Sequence, residues 1–326
     1  MAGMRVLVAG MGSAIGTNVA LRLSMDPRVQ ALTGFDLEPP RRYIPDADFH
    51  FARPGDAHRI HEIVRDFTPD VIVHTWVFEP RARSSPGQAR TRTIAGTEAL
   101  LGAAQRVDSV RRIVVRSGVS IYGAGRGRPA APDVGAAARP TSHFGTILAD
   151  VEGRCAKVAG QLGAASVPVR LASIMASNLP NPLGRYLRLP VVAVPLTSKR
   201  FGAVHLGDAV RVLAATTTSD VDQPINVMAP EPVTALQAVT IGSRIAVPVP
   251  PPLFRAGRIL GEVPGTPIPE HLAELLARGQ VVTPTDVGAL LGVDIKRTTP
   301  ETVADVYSAG RVIKVDVDRL MQSRGA

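Results

Sequence analysis

Short runs of aliphatic and β-branched residues alternate with segments of helical periodicity through the first half of the chain. Arg5 to Ala9, Gln30 to Phe35, Asp48 to Phe51, Val71 to His74 and Arg112 to Val115 read as strands. Between them, Ile15 to Leu23, His58 to Phe67 and Thr93 to Arg106 carry the wider spacing of helices with one apolar face. Strands separated by helices pair in parallel, because a parallel neighbour is reached only by a long crossover. With right-handed crossovers, the pattern predicts an α/β fold built on a doubly wound parallel sheet. A helix over Ser142 to Leu162 and an apolar strand over Val167 to Ala172 extend it.

Beyond residue 172 the texture changes. Asn178 to Pro195 is rich in proline, and Val247 to Pro252 reads Val-Pro-Val-Pro-Pro-Pro, which no regular helix or central strand tolerates. The expectation is a first domain over 1–172 and a smaller C-terminal lobe made from 173–204 and 225–326. Residues 205–224 are expected to return to the first domain, with a helix over His205 to Ala215 capped by Asp208. The tail after Gly310 is polar and is expected to be loosely held.

Composition removes other pictures. The chain has 326 residues, 45% of them hydrophobic and 20% charged, a balance that excludes an intrinsically disordered chain. A single cysteine, Cys155, excludes an internal disulfide, and no Cys/His spacing suits zinc, so no metal is expected. Val6 to Leu23 is apolar but is broken by Gly10, Gly12 and Gly16 and lacks a small-residue cleavage site, so it does not read as a signal peptide. No run of 18 apolar residues suggests a membrane span, and a cytoplasmic protein without a membrane partner is expected. The net charge of +9 rests on 37 basic residues, of which only Lys157, Lys199, Lys296 and Lys314 are lysines. That arginine bias reads as coding bias, and aromatics at 4% are too few for base-stacking platforms, so no nucleic-acid partner is expected.

Candidate chemistry begins at Val6-Leu-Val-Ala-Gly10-Met-Gly12-Ser-Ala-Ile-Gly16, which follows a strand and opens a helix. Glycines there let backbone approach a pyrophosphate, and the helix N-terminus offers unpaired N–H groups and a positive dipole end. Gly10, Gly12, Ser13, Ala14, Ile15 and Gly16 are therefore candidate dinucleotide-binding residues. Asp36, twenty residues beyond Gly16, ends the second strand where a carboxylate accepts ribose hydroxyls, which favours NAD. Arg41, Arg42 and Arg53 stand nearby and would suit a 2′-phosphate, so NAD against NADP stays open.

Further runs resemble the extended short-chain dehydrogenase/reductase family, which contains nucleotide-sugar epimerases and dehydratases. Asp70-Val-Ile-Val-His74 is similar to its fourth strand, Ala95-Gly-Thr-Glu-Ala-Leu-Leu to the helix that follows, and Val114-Val-Arg-Ser117-Gly-Val-Ser-Ile-Tyr122-Gly to its fifth strand and turn. Val204-His-Leu-Gly-Asp208 and Pro224-Ile-Asn-Val-Met-Ala-Pro-Glu-Pro-Val resemble its C-terminal landmarks. The resemblance implies a Rossmann-type domain carrying NAD(P), a substrate lobe closing over the nicotinamide, and a homodimer. It adds His74, Thr75, Trp76 and Ser117 to the cofactor set. It implies a substrate pocket at Trp76, Gly118, Phe144, Leu148, Ser173 and Ile174.

The resemblance also implies a Ser/Thr and a Tyr-x-x-x-Lys pair, with the Tyr as general acid/base. Here Phe144 and Leu148 stand in the Tyr and Lys places and Gly118 in the Ser/Thr place. Ser13 replaces a glycine, Thr93 an asparagine and Arg53 an adenine-contacting aspartate. Phe201 stands where nucleotide-sugar epimerases hold the substrate diphosphate with an arginine, with Arg200 beside it. Phe has no proton to give and Leu no charge, so the proton must come from elsewhere. Ser117 and His143 are the candidate catalytic residues, with Ser120, Tyr122, a water or the substrate's own hydroxyl as other sources.

Atypical members that reduce aromatic polyketides, of the simocyclinone or angucyclinone type, offer the nearest precedent. The implied function is NAD(P)H-dependent reduction of a cyclic, hydroxylated aromatic ketone from natural-product biosynthesis. Two alternatives stand beside it: a nucleotide-sugar epimerase or dehydratase with displaced catalytic groups, and a non-catalytic NAD(P) sensor or scaffold. Trp76 is a candidate stacking wall. Arg81, Arg83, Arg90 and Arg92 flank a Ser-Ser-Pro-Gly loop that is a candidate lid.

Overall fold

The computed structural model describes residues 3–80, 86–125, 127, 129–250, 254 and 268–308. Strands and helices alternate as β1 (Met4–Ala9), α1 (Ala14–Leu23), β2 (Val29–Asp36), β3 (Ala47–Phe51), α2 (Ala57–Phe67), β4 (Val71–His74), α3 (Pro86–Ala104), β5 (Arg112–Gly118), α4 (His143–Leu162) and β6 (Ala165–Leu171). Then come β7 (Ser173–Met175), α5 (Pro182–Leu187), β8 (Val191–Pro195), β9 (Ala203–His205), α6 (Leu206–Thr217), β10 (Ile225–Val227), α7 (Ala235–Ile241) and β11 (Ile245–Val249). Three further helices close the described chain: α8 (Glu270–Arg278), α9 (Val287–Leu291) and α10 (Thr299–Ser308).

Seven parallel strands form the main sheet in the order β10-β6-β5-β4-β1-β2-β3. This is the Rossmann-like, doubly wound arrangement, whose direction reverses between β1 and β4 and leaves a crevice there at the carboxyl ends of the strands. Alternate residues of each strand face opposite sides. Val6, Val8, Val71, Val73 and Val114 meet α1 and α6 on one face. Leu7, Ile72, Ile113 and Val115 meet α2, α3 and α4 on the other. Each fully buried aliphatic side chain contributes about 1.5–3 kcal/mol, so the continuous apolar runs of β1 and β4 are what a sheet covered on both faces requires.

The helix ends follow local chemistry. Ser13, Asp56, Ser142 and Asn181 each accept a first-turn N–H from their helix, and Thr234 with Gln237 forms a capping box on α7. Asp208 does not cap α6. His205 does, its Nδ1 accepting the Gly207 N–H at 3.1 Å. Asp208 sits in the first turn, buried, where it accepts the N–H groups of Lys296 and Arg297 and pairs with Arg211. Helix α3 begins at Pro86, before the expected Thr93, because proline is well suited to a first helical turn. Arg90 and Arg92 are therefore helical rather than parts of a lid loop, and Arg90 pairs with Asp150 at 2.7 Å. Arg81 and Arg83 lie outside the described residues, as does the tail after Gly310.

β10 is an edge strand of the main sheet, so the stretch that returns to it reaches beyond Pro224. The proline-rich segment contributes β11, which pairs with β8 in a separate two-stranded sheet where Pro248 deprives no central strand of a donor. Met175, Leu187, Phe201, Val239, Leu276 and Val303 gather in the core of the smaller lobe. A small cluster containing Tyr122, Phe144, Leu148, Ala172 and Met228 lies between this lobe and the sheet.

Two buried polar features brace the sheet. Glu152 of α4 accepts from Arg170 Nη2 at 2.8 Å and from the Ser117 hydroxyl, while Arg170 Nη1 donates to the Tyr122 hydroxyl at 2.8 Å. That hydroxyl donates onward to Asn226 Oδ1 at 2.8 Å, tying β5, β6 and β10 together. Removing the carboxylate by Glu152→Ala leaves the Arg170 charge buried and uncompensated, and a loss of about 3–5 kcal/mol is expected in urea unfolding.

His74, at the end of β4, is fully buried. Its Nε2 lies 2.9 Å from Thr97 Oγ1, whose own proton goes to the Thr93 carbonyl, so Nε2 carries the hydrogen. Nδ1 is buried without a partner among the described residues, and burial pushes the ring pKa down to about 4. The unfolded chain therefore binds a proton between the ordinary value of 6.5 and about 4 that the folded protein refuses, so stability falls as pH drops through that window. The expected loss is about 3 kcal/mol, absent in His74→Gln, as read from chemical denaturation across that pH range.

Candidate active site

Two hollows adjoin at the carboxyl edge of the sheet, and Ile15, Glu79, Arg116, Leu179 and Pro180 line both. The larger, a cleft of about 430 Å³, lies over the reversal between β1 and β4. The smaller, about 130 Å³, lies between β5, α4 and α8.

The larger cleft is shaped by the glycine loop. Gly10 adopts φ +91°, a left-handed conformation that favours glycine, and its N–H donates to the Phe35 carbonyl at 2.9 Å. Ser13 caps α1, and its hydroxyl also donates to the Gly10 carbonyl at 2.8 Å. Gly12, Ser13, Ala14 and Ile15 line the cleft. Gly10 and Gly16 lie behind them and shape the turn, Gly16 giving its N–H to the Ser13 hydroxyl. Among the described residues no protein group takes the N–H of Ala14 or Ile15, so the helix N-terminus faces the cleft with donors to spare.

Asp36 is the hub of this cleft. Its carboxylate accepts N–H groups from Leu37 at 2.7 Å, the Trp76 indole at 2.9 Å and Ser13 at 3.1 Å. Burial pushes its pKa up, against the pull of those donors. A carboxylate has about four acceptor sites, so room remains for a ribose hydroxyl. Thr75 also lines the cleft, its hydroxyl donating to the Ala9 carbonyl at 2.9 Å.

Several expectations change. Trp76 lines this cleft and not the smaller pocket. It is 3% exposed, packs edge-on against Phe35 and is fixed through its N–H to Asp36, so it forms part of the wall of the larger cleft and takes no part in the smaller pocket. His74 is sealed against Thr97 and does not line the cleft. Arg41 does line it, whereas Arg42 and Arg53 are exposed and stand outside, because the chain after β2 and β3 turns their side chains to solvent. Arg92 of α3 joins the lining in their stead.

In the smaller pocket Gly118, Phe144, Leu148, Ser173 and Ile174 meet. Both proposed catalytic residues fail on geometry. Ser117 borders the pocket, but its hydroxyl is committed to Glu152 in the buried network. His143, the first residue of α4, has its side chain 72% exposed and pairs with Glu270 outside the pocket, since helical geometry turns it away from the face carrying Phe144 and Leu148. Phe201 is fully buried and Arg200 exposed, so neither offers a cation to this pocket.

The polar chemistry comes from residues that sequence reasoning missed. His271 of α8 lines the pocket, its side chain 8% exposed, with Nε2 2.9 Å from Glu79 Oε1. Its ring stands against Phe144, with centroids 4.9 Å apart. Arg116 lines both hollows, and strand alternation puts it on the same face as Gly118, a signal present in the sequence. No comparable signal joins Glu79 to His271. Ser120, named from the sequence as a further proton source, lines the pocket too, with Asn181 and Gln280.

Comparison with known proteins agrees with this architecture. The sequence profile described as "NAD dependent epimerase/dehydratase family" matches residues 6–185, and the chain belongs to that family. An uncharacterized protein of Mycobacterium tuberculosis is 26% identical over 329 aligned residues, covering 96% of this chain and 85% of that protein. Among solved structures, UDP-glucose 4-epimerase of Thermotoga maritima with UDP-glucose shares 16% identity at a TM-score of 0.70, covering 94% of this chain and 98% of that one. UDP-glucose 4-epimerase of Thermus thermophilus in complex with NAD shares 19% at 0.70, covering 95% and 100%. The likeness to these structures is one of fold. Family membership carries NAD(P) as cofactor, and the glycine turn, the free helix N-terminus and the Asp36 carboxylate fit it. Among the described residues, no helix is long and apolar enough to cross a membrane.

A methyl group on Gly12 would lie 1.9 Å from the Glu38 carbonyl oxygen and 3.1 Å from Asp36 Cβ. Gly12→Ala must therefore push the Leu37–Glu38 backbone away from the glycine loop, at a cost of about 1–3 kcal/mol. Weaker NAD(P) binding in calorimetry, with an unchanged circular dichroism spectrum, is the expected result.

Proposed function

We propose that the protein transfers a hydride between NAD(P) and a small polyhydroxylated, sugar-like substrate, with His271 taking the place of the missing Tyr–Lys pair. This is an epimerase/dehydratase-type reaction with displaced catalytic groups. The observation that carries it is the Glu79–His271 pair seated against Phe144, in the pocket that adjoins the cofactor cleft.

The N-terminal turn of α1 would hold the pyrophosphate and Asp36 the adenosine ribose. NAD(P), when bound, supplies or accepts the hydride. The chain's own part is the proton. Glu79 accepts the Nε2 hydrogen of His271, which fixes the tautomer and leaves Nδ1 for a substrate oxygen. In the oxidative direction Nδ1 takes the hydroxyl proton while the carbon's hydrogen departs with its electron pair. In the reductive direction the same nitrogen returns the proton to the new alkoxide. Glu79 stabilises the imidazolium form in between. Phe144 and Leu148, both buried, keep water from the reacting carbon.

The aromatic-ketone reading shares this hydride chemistry and draws on the Phe144 wall. The polar side chains of Ser120, Ser173, Gln280, Arg116 and His271 favour a ligand rich in hydroxyls instead. The test is turnover of UDP-hexoses, free hexoses and hydroxylated cyclic aromatic ketones, followed by nicotinamide absorbance and by chromatography of epimers. His271→Asn is expected to lower kcat about a hundredfold with cofactor affinity unchanged, and Glu79→Gln to lower it less. A kcat unmoved by His271→Asn overturns the assignment. Turnover of aromatic ketones alone replaces the substrate class, and cofactor binding without any turnover favours a sensor.

A further inference from the structure

Glu79 and His271 are paired with each other, but Arg116, the remaining charged side chain of the smaller pocket, is not so provided for. Its Nε is buried and has no hydrogen-bond partner among the described residues. No carboxylate among the described residues stands within ion-pair distance of it. Burial works against its charge and only the more distant Glu79 carboxylate favours it, while the Phe144 ring lies 5.9 Å away. A guanidinium nonetheless keeps its charge at any working pH, and it presents a planar fork of N–H donors.

Arg170, a buried arginine nearby, shows what such a group ordinarily acquires. Arg170 on β6 has Glu152, the Tyr122 hydroxyl and the Val134 carbonyl. Arg116 has a hollow in front of it. It stands on β5, two strands over from β1, which leads into the glycine loop. It lies two residues before Gly118, on the wall where the two hollows meet.

We propose that Arg116 is a substrate-binding residue that receives a carboxylate on the substrate, which makes that substrate a sugar acid or a similar small hydroxy acid. The inference rests on the hydride-transfer reading for its link to chemistry, but the binding itself can be tested apart from it. A single planar carboxylate matches the fork two bonds at a time. A phosphate dianion would add a second negative charge close to Glu79 and would gain less. The carboxylate would also fix which carbon of the substrate lies beside Phe144 and His271.

The test uses the full chain, with and without saturating NAD+, titrated calorimetrically with D-glucuronate, with D-glucose as its neutral counterpart, and with inorganic phosphate. Glucuronate is expected to bind about tenfold or more tighter than glucose, as befits a charge-assisted pair, and to raise the melting temperature where glucose does not. Arg116→Gln is expected to erase that preference, and Arg116→Lys, which keeps the charge without the fork, to retain part of it. NAD+ affinity should be the same in all three proteins. No preference for glucuronate in the parent protein, an undiminished preference in Arg116→Gln, or equal binding of phosphate overturns the proposal. So does a loss of NAD+ affinity in either folded variant, which would assign Arg116 to the cofactor. A parent protein that prefers glucuronate but never exchanges hydride sustains this inference and refutes the reaction.

Discussion

The buried carboxylate of Asp36 holds together the loops from which the cofactor cleft is made. One of its oxygens binds the Leu37 amide and the Trp76 indole, and the other binds the Ser13 amide, so the ends of β1, β2 and β4 converge on a single side chain. Ionised, it satisfies all these donors at once; without it they would be buried unpaired, which costs more than the bonds themselves contribute. The left-handed turn at Gly10 and the close approach of Gly12 to Glu38 bring the same loops together. The same group that assembles the cleft also lines it, so a change at this position would disturb the loops and the lining together.

On the other side of the shared wall, the places where the resemblance implies a Tyr–Lys pair present an apolar surface. Phe144 and Leu148 join Tyr122, Ala172 and Met228 in a compact cluster, and His271 of the helix that faces it packs against Phe144. Helix α8 is tied to the sheet domain at three points: Glu270 to His143, His271 to Glu79, and Arg278 to the Ala124 carbonyl. A relative movement of the two lobes would act on the Glu79–His271 contact directly, because that contact bridges them.

The arginines of the interior fall into two groups that explain one another. Arg170 and Arg211 are each matched by a carboxylate, Glu152 and Asp208, and those pairs lock α4 to the sheet and the first turn of α6 to the chain before α10. Arg116, half-buried, has no such match among the described residues, and it opens onto a hollow. A positive net charge distributed over the surface says little by itself. A half-buried cation beside a hollow, its Nε without a partner among the described residues, is where a negative ligand group would gain most.

Periodicity alone determined the alternating strands and helices, the parallel sheet and the glycine turn, because each is encoded by residues a few positions apart. That Phe144 and Leu148 stand where the resemblance implies a Tyr and a Lys was equally legible, since it needs only alignment within one helix. The tertiary structure decided which polar side chains face the pocket. Ser117 was claimed by Glu152, 35 residues away, and His143 by Glu270, 127 residues away. Glu79 met His271 across 192 residues, a pairing that no local spacing announces. His205 displaced Asp208 as a cap because Asp208 was engaged by the backbone of Lys296 and Arg297. Hydrophobic patterning reports which face of an element is buried, but the partner of a charge depends on how distant elements dock, and that is fixed only when the whole core closes.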